Sequence, residues 1–385
     1  QAVTEIDREL DAQPEVEAAV RFTLGRTYQG LGLIQEAESQ VREALQIRRS
    51  SEPRNELGIA EAMNQLGKIH YSRGEFPAAD SLISGGLEIR TLLLPTPHLE
   101  IAESLDDLGA VRVAVGDYEA ADSLLRAALD MRVSLLGENS LEVAGSQGNL
   151  ATLLANQGQI QEAEALFRTV LATRREIQGD HMDVTTAMQN LAITLQWQER
   201  FDEAEPLLRE ALEIQQRLLG DDHPDVARSV NNLAVFLWRR GVLPEAESLL
   251  REALEINRRV LGDENPEVSS NLVNLSLVLQ DQGRLAEAEA IRRQSLAIDR
   301  RILGDDHPDV ARSLNSLGGL LGRAERYQEA MAAFREAEGI LAANFGPDSW
   351  QAATSTSMIG DVLLRLGRHL EAEPILVRSY QIIQA

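Results

Sequence analysis

The stretch LGDDHPDVARS occurs twice, letter for letter, at Leu219–Ser229 and Leu303–Ser313, and the looser copy LGDENPEVSSN stands midway at Leu261–Asn271, so the chain repeats itself every 42 residues. No other feature constrains the fold as tightly. A fixed period of this length means one supersecondary unit written repeatedly, and such a unit cannot bury its own apolar face, so neighbours must stack. Aligned on the period, the chain gives nine units with one slip, a deletion near Gly179. A leucine column (Leu24, Leu66, Leu108 and onward to Ile359) is followed by a residue that is always small: Gly25, Gly67, Gly109, Ala151, Ala192, Ala234, Ser276, Gly318 and Gly360. Seven residues later comes a turn position, glycine in seven units and Glu199 or Glu325 in the other two; five residues further all nine units carry alanine.

Within a unit the apolar residues keep helical spacing on both sides of the turn, as in Val226, Val230, Leu233, Leu237 and then Ala246, Leu249, Leu250, Ala253, Leu254. Each unit therefore reads as a helical hairpin, with small residues where two helices cross closely. The repeated LGDDHPDVARS is then punctuation: a glycine closes one helix, Asp222 or His223 caps the next, Pro224 fills its first turn and Asp225 meets its positive end. Asp221, Asp222, His223 and Asp225 have the residue types of a metal site, but the other units carry Asn265, Ser140 or Met182 nearby. No metal and no cofactor is expected. Counted along the period, the six histidines are expected in five different positions, only His223 and His307 being equivalent, which offers no catalytic cluster.

Composition narrows the partners. A net charge of −24 disfavours nucleic acid and anionic lipid, and no apolar run is long enough for membrane insertion. There is no cysteine, which excludes disulfides and thiolate chemistry. Phosphate-binding, zinc-protease, nucleophile-elbow and kinase catalytic patterns are absent, so no catalytic residue is assigned and the chain is read as a non-enzyme. Carboxylate pairs such as Glu36/Glu38 and Glu245/Glu247 are read as solvated first turns. The first residue is Gln1, as expected of a mature or excised piece.

The unit HPDVARSVNNLAVFLWRRGVLPEAESLLREALEINRRVLGDENP resembles the tetratricopeptide repeat in the 42-residue form of kinesin light chain, with its Leu-Gly/Ala pair, glycine turn, EAE box and A-L pair. The resemblance implies an all-α fold, a right-handed superhelical α-solenoid of about nine hairpins over residues 18–385; ahead of it TEIDRELDAQ can form a helix before Pro14 that packs Ile6 and Leu10 on the first repeat, which is read as a capping helix and linker over 1–17. The second unit departs from the pattern, because Gly85 and Gly86 are expected to interrupt its second helix; Glu325 and His369 are departures in the last two units. The opening segment IDRELDAQPEVEAAVRFTLGRTYQGLGLIQEAE is similar to the start of the tetratricopeptide region of large bacterial serine/threonine protein kinases.

Two residues before each small position, four consecutive units carry asparagine: Asn149, Asn190, Asn232 and Asn274. An amide both donates and accepts, so such a row suits the backbone of an extended peptide, and equally suits bonds between neighbouring helices that hold the stack in register. The kinesin-light-chain resemblance implies a role in peptide binding for this column. Trp197, Trp238, Arg228 and Arg239 lie within three to seven positions of an asparagine and are candidate anchors, although the tryptophans also suit packing inside the helical wall. The expected function is a non-catalytic scaffold binding a peptide or extended protein segment; the alternative is a ligand-responsive regulatory region of a larger bacterial signalling protein such as a serine/threonine kinase. At the far end, EPILVRSYQIIQA carries Ile375, Leu376, Tyr380, Ile382 and Ile383, and these are expected to be covered either by a further helix of a longer protein or, through self-association, by another copy of the chain.

Overall fold

The computed structural model describes residues 13–384, all helix and turn. The helix expected over TEIDRELDAQ, with Ile6 and Leu10, lies outside the described residues. The chain divides into two compact units, Gln1–Arg200 and Phe201–Ala385. The first holds α1 (Pro14–Gly30), α2 (Ile34–Ser50), α3 (Glu56–Ser72), α4 (Phe76–Leu93), α5 (Leu99–Ala114), α6 (Tyr118–Leu136), α7 (Leu141–Asn156), α8 (Ile160–Gln178) and α9 (Met182–Trp197). The second holds α10 (Phe201–Leu219), α11 (Pro224–Arg240), α12 (Leu243–Leu261), α13 (Pro266–Asp281), α14 (Leu285–Leu303), α15 (Pro308–Arg323), α16 (Tyr327–Phe345), α17 (Trp350–Arg365) and α18 (His369–Gln384).

In the first unit α1/α2, α3/α4, α5/α6 and α7/α8 pair as hairpins, and in the second α11/α12, α13/α14, α15/α16 and α17/α18 do; within each unit every hairpin packs on the next. The turn between paired helices needs a left-handed residue. Gly241 takes it with φ 88°, and the two exceptions, Glu199 and Glu325, take it too, with φ 58° and 59°. The hairpin geometry thus overrides a side-chain preference of about 1–2 kcal/mol at those two positions.

Packing follows the small-residue columns. All nine column alanines, from Ala37 to Ala372, are 0% exposed. Where the small residue of a first helix is glycine, it faces an apolar side chain of its second helix. A Cβ added to Gly67 would lie 2.5 Å from Ile83 Cγ1, one on Gly109 2.6 Å from Leu125 Cδ2, and one on Gly318 2.5 Å from Phe334 Cε1. Leu250 occupies the same position opposite Ala234, both 0% exposed. Enlarging a column alanine therefore forces the crossing apart: Ala246→Leu should destabilise the chain by about 1–3 kcal/mol, read as a lower urea midpoint.

One expectation fails here. α4 runs unbroken through Gly85 and Gly86. The reason is close approach of α3: a Cβ on Gly86 would meet Asn64 Oδ1 at 2.6 Å and the Ala60 carbonyl at 3.0 Å, so glycine is needed inside the helix rather than at a break. The final helix packs only one side. Ile375 and Leu376 lie against the core of the second unit, while Leu370, Val377, Tyr380 and Ile383 are 89%, 51%, 62% and 48% exposed.

Candidate binding face

The punctuation motif is a helix cap in all three of its copies, with His223, Asn265 and His307 at the N-cap. His223 is the N-cap of α11, its Nδ1 accepting from the Asp225 N–H at 3.1 Å; Asp222 instead pairs with Arg259 at 2.6 Å. The histidines do not scatter as expected. His98, His181, His223 and His307 all cap first helices, because one position of the unit needs a side-chain acceptor two residues before a free N–H; Asn265 fills it in α13 with Oδ1 2.8 Å from the Glu267 N–H. Among the described residues no cluster of three or more His, Asp or Glu could hold a metal ion, and no helix is long and apolar enough to cross a membrane. The second glutamate of the EAE box is not solvated either. Glu247 has a side chain 16% exposed and pairs with Arg251 at 2.8 Å and with Arg284 of the next hairpin at 2.7 Å.

The first helices carry a polar ladder between successive repeats. In the first unit Asn64 accepts from Ser104 Oγ at 3.1 Å and donates to Asp107 Oδ2 at 3.2 Å; one repeat on, Asp106 accepts from Ser146 Oγ at 2.7 Å and from the side chain of Asn149. An arginine column completes it. Arg48, Arg90, Arg132 and Arg174, near the ends of α2, α4, α6 and α8, donate to the carbonyls of Gly58 (2.6 Å), Glu100 (2.9 Å), Glu142 (3.0 Å) and Asp183 (2.9 Å) at the start of the next helix. Arg132 also pairs with Asp106 and donates to Ser146 Oγ at 2.8 Å. Burial pushes the Asp106 carboxyl up against the opposing pull of Arg132. Burial likewise raises Asp107, to about 6, although Lys68 stands 3.4 Å away.

In the second unit asparagines take several of these positions, while Asp299 puts a carboxylate where the first unit has arginine. Asn257 donates to Asn271 Oδ1 at 2.7 Å, and Asn271 and Asn274 both donate to Asn231 Oδ1, at 3.0 and 2.9 Å. Asn315 donates to Ser355 Oγ at 2.8 Å. The ladder thus runs mainly through the position one before the asparagine column. Its arginines and serines repeat at the 42-residue spacing, the signal by which sequence reasoning could have found them.

The candidate binding residues separate on this frame. In the first unit, Asn149 is half-buried and bonded to Asp106, Asn190 is half-buried on α9, and Trp197 at the end of α9 is 50% exposed. In the second, Asn274 is half-buried in the ladder, whereas Asn232 on α11 is exposed. Arg239 is exposed, Arg228 is exposed and pairs with Asp225 at 2.8 Å, and Trp238 donates its indole N–H to Asp281 Oδ2 at 2.7 Å.

Profiles of the tetratricopeptide repeat match residues 23–51 and, in overlapping segments, 58–134, 100–176, 142–196, 183–259, 226–290 and 267–343. The chain belongs to the tetratricopeptide repeat family. Among solved structures, the apo form of RapI is similar with a TM-score of 0.61 at 15% identity, over 95% of this chain and 97% of its own. The Rap conjugation gene regulator of plasmid pLS20, in complex with the Phr* peptide, has a TM-score of 0.52 at 16% identity, over 86% of this chain and 97% of its own. The TPR-like repeats of a Podosopora anserina protein described as a kinesin light chain have a TM-score of 0.49 at 25% identity, over 54% of this chain and 99% of theirs. No curated protein matches the chain significantly in sequence.

Proposed function

We propose that this chain is a non-catalytic scaffold that binds a peptide or extended protein segment on the face formed by its first helices. The observation that carries the reading is the division of labour between adjacent asparagines. Asn231 takes up the bonds between repeats, accepting from Asn271 and Asn274, and Asn232 beside it is left exposed. An exposed amide on a helix held in place by its neighbour offers a donor and an acceptor to a backbone without being needed by the stack. Exposed Arg239 on the same helix, and Trp197 on α9 of the first unit, are groups of the kind that anchor partners. A repeat protein of similar fold, the Rap regulator, was solved with a peptide bound.

The test is selection of binding peptides from a random display library on the full chain, followed by Asn232→Ala. Affinity should fall by roughly fivefold, the equivalent of about 1 kcal/mol for one net hydrogen bond, with the melting temperature unchanged. A loss of stability with affinity intact would assign Asn232 to the stack instead.

A further inference from the structure

In the repeat built by α13 and α14, the side chain that should pack onto the small residue Ser276 is an arginine, Arg292, where the neighbouring repeats place Leu250 and Phe334. It is buried there, 5% exposed. Its guanidinium makes one long hydrogen bond, Nη2 to the Val273 carbonyl at 3.4 Å, and burial lowers its pKa from the usual arginine value. Asp299 attracts it electrostatically without closing an ion pair, since the Asp299 carboxylate is held by Ser269 Oγ at 2.5 Å and Ser313 Oγ at 2.7 Å. A buried cation without a hydrogen-bonded counter-ion is unfavourable at a position that an aliphatic side chain fills elsewhere.

The guanidinium lines a cavity of about 380 Å³ between α13, α14 and α15, with Val273, Ile302 and Leu303 as apolar wall and exposed Ser270 and Ser316 at its edge. A planar carboxylate matches the arginine fork, and the methylenes behind it suit the apolar wall. Asp299 and Asp309 line the same cavity, with Arg312 at its edge paired to Asp309, so the charges of the lining balance and a single negative charge is accommodated more readily than a dianion such as a phosphate group. We propose that this cavity receives the side-chain carboxylate of an acidic residue, with Arg292 as its counter-ion, from an extended partner segment lying on the second unit. The assignment of a protein segment as the source rests on the peptide-binding reading above; the carboxylate site itself does not.

The experiment uses the full chain and Arg292→Leu, which installs the residue found at Leu250 and so should melt no lower than the original. Two probes are measured against both: end-blocked peptides chosen by display, resynthesised with Glu, Gln or phosphoserine at the acidic position, and N-acetyl-glutamate amide followed by ligand-observed NMR. Expected are a loss of at least tenfold in peptide affinity on Glu→Gln and a similar loss on Arg292→Leu. The two losses should not add, and phosphoserine should be weaker than Glu. N-acetyl-glutamate amide should bind the original chain and not the variant. Peptides whose affinity responds to Asn232→Ala but is untouched by Arg292→Leu would overturn this site and leave the peptide-binding reading standing. Binding of N-acetyl-glutamate amide that depends on Arg292, with no peptide selected, would keep the site and overturn the peptide reading. Phosphoserine binding more tightly than Glu would overturn the carboxylate assignment, and an Arg292→Leu variant that binds both probes as the original does would overturn the whole.

Discussion

Replacing Arg132 by alanine should destabilise the first unit by about 3–5 kcal/mol, the usual cost of stranding one member of a buried ion pair. The pair is enclosed, with Arg132 13% and Asp106 4% exposed in their side chains. Arg132 also supplies the bonds that tie α6 to the start of α7, at the Glu142 carbonyl and Ser146 Oγ. Removing it leaves the Asp106 carboxylate buried with only neutral donors, Ser146 and Asn149, and burial already pushes this carboxyl toward its neutral form. Arg126 provides the control. Its pair with Asp122, at 2.9 Å, lies on the surface of the same helix, 54% and 36% exposed, so Arg126→Ala should change stability by less than about 1 kcal/mol. Urea unfolding of the two variants decides the matter: equal midpoints would mean that the arginine column is not what joins these hairpins. Adding Asp106→Asn to Arg132→Ala should recover part of the loss, because the stranded charge is then gone.

Most of the fold was legible because periodicity reports what packing demands. The alanine column and the small-residue column are contact geometry written directly into sequence, and their burial follows position by position, from Ala37 to Ala372. What escaped notice depended on how neighbouring units meet. Gly85 and Gly86 read locally as helix breakers, and only the nearness of Asn64 and the Ala60 carbonyl explains why the helix needs them. The arginine column was visible as a repeat, yet arginine on a helix ordinarily means a solvated face; its burial arises from the next repeat closing over it, leaving Arg90 2% exposed. Likewise the asparagine column could be seen, but not that Asn149 and Asn274 are bonded to the preceding repeat while Asn232 is exposed. Arg292 breaks an otherwise apolar position of the second helix, and that departure is plain once the columns are aligned on the crossing rather than on the turn.

A variant matching the repeat more closely should outperform the native residue at one position, in a pH-dependent way. Asp107 stands in the column that elsewhere holds Asn149, Asn232 and Asn274. Burial raises its pKa from 3.8 to about 6, with Lys68 pulling the other way and Glu103 and Asp106 adding repulsion. A carboxyl whose pKa is higher in the folded chain than in the unfolded one contributes its full stability below the unfolded value, and loses it as pH rises through the folded value. For Asp107 that window runs from 3.8 to about 6, and the difference corresponds to about 3 kcal/mol at 1.36 kcal/mol per pKa unit. Above pH 6 the folded chain carries this charge in a half-buried position. Asparagine mimics the protonated acid, can still accept from Asn64, and leaves Lys68 its partner Glu103 at 2.7 Å. Asp107→Asn should therefore be more stable than the native chain by up to about 3 kcal/mol at pH 7.5, with the gap shrinking on acidification and vanishing below pH 4. Paired urea titrations across that range measure the gap directly, since groups common to both chains cancel. A native chain that is the more stable of the two at pH 7.5 would mean that the attraction of Lys68 outweighs the burial of its partner.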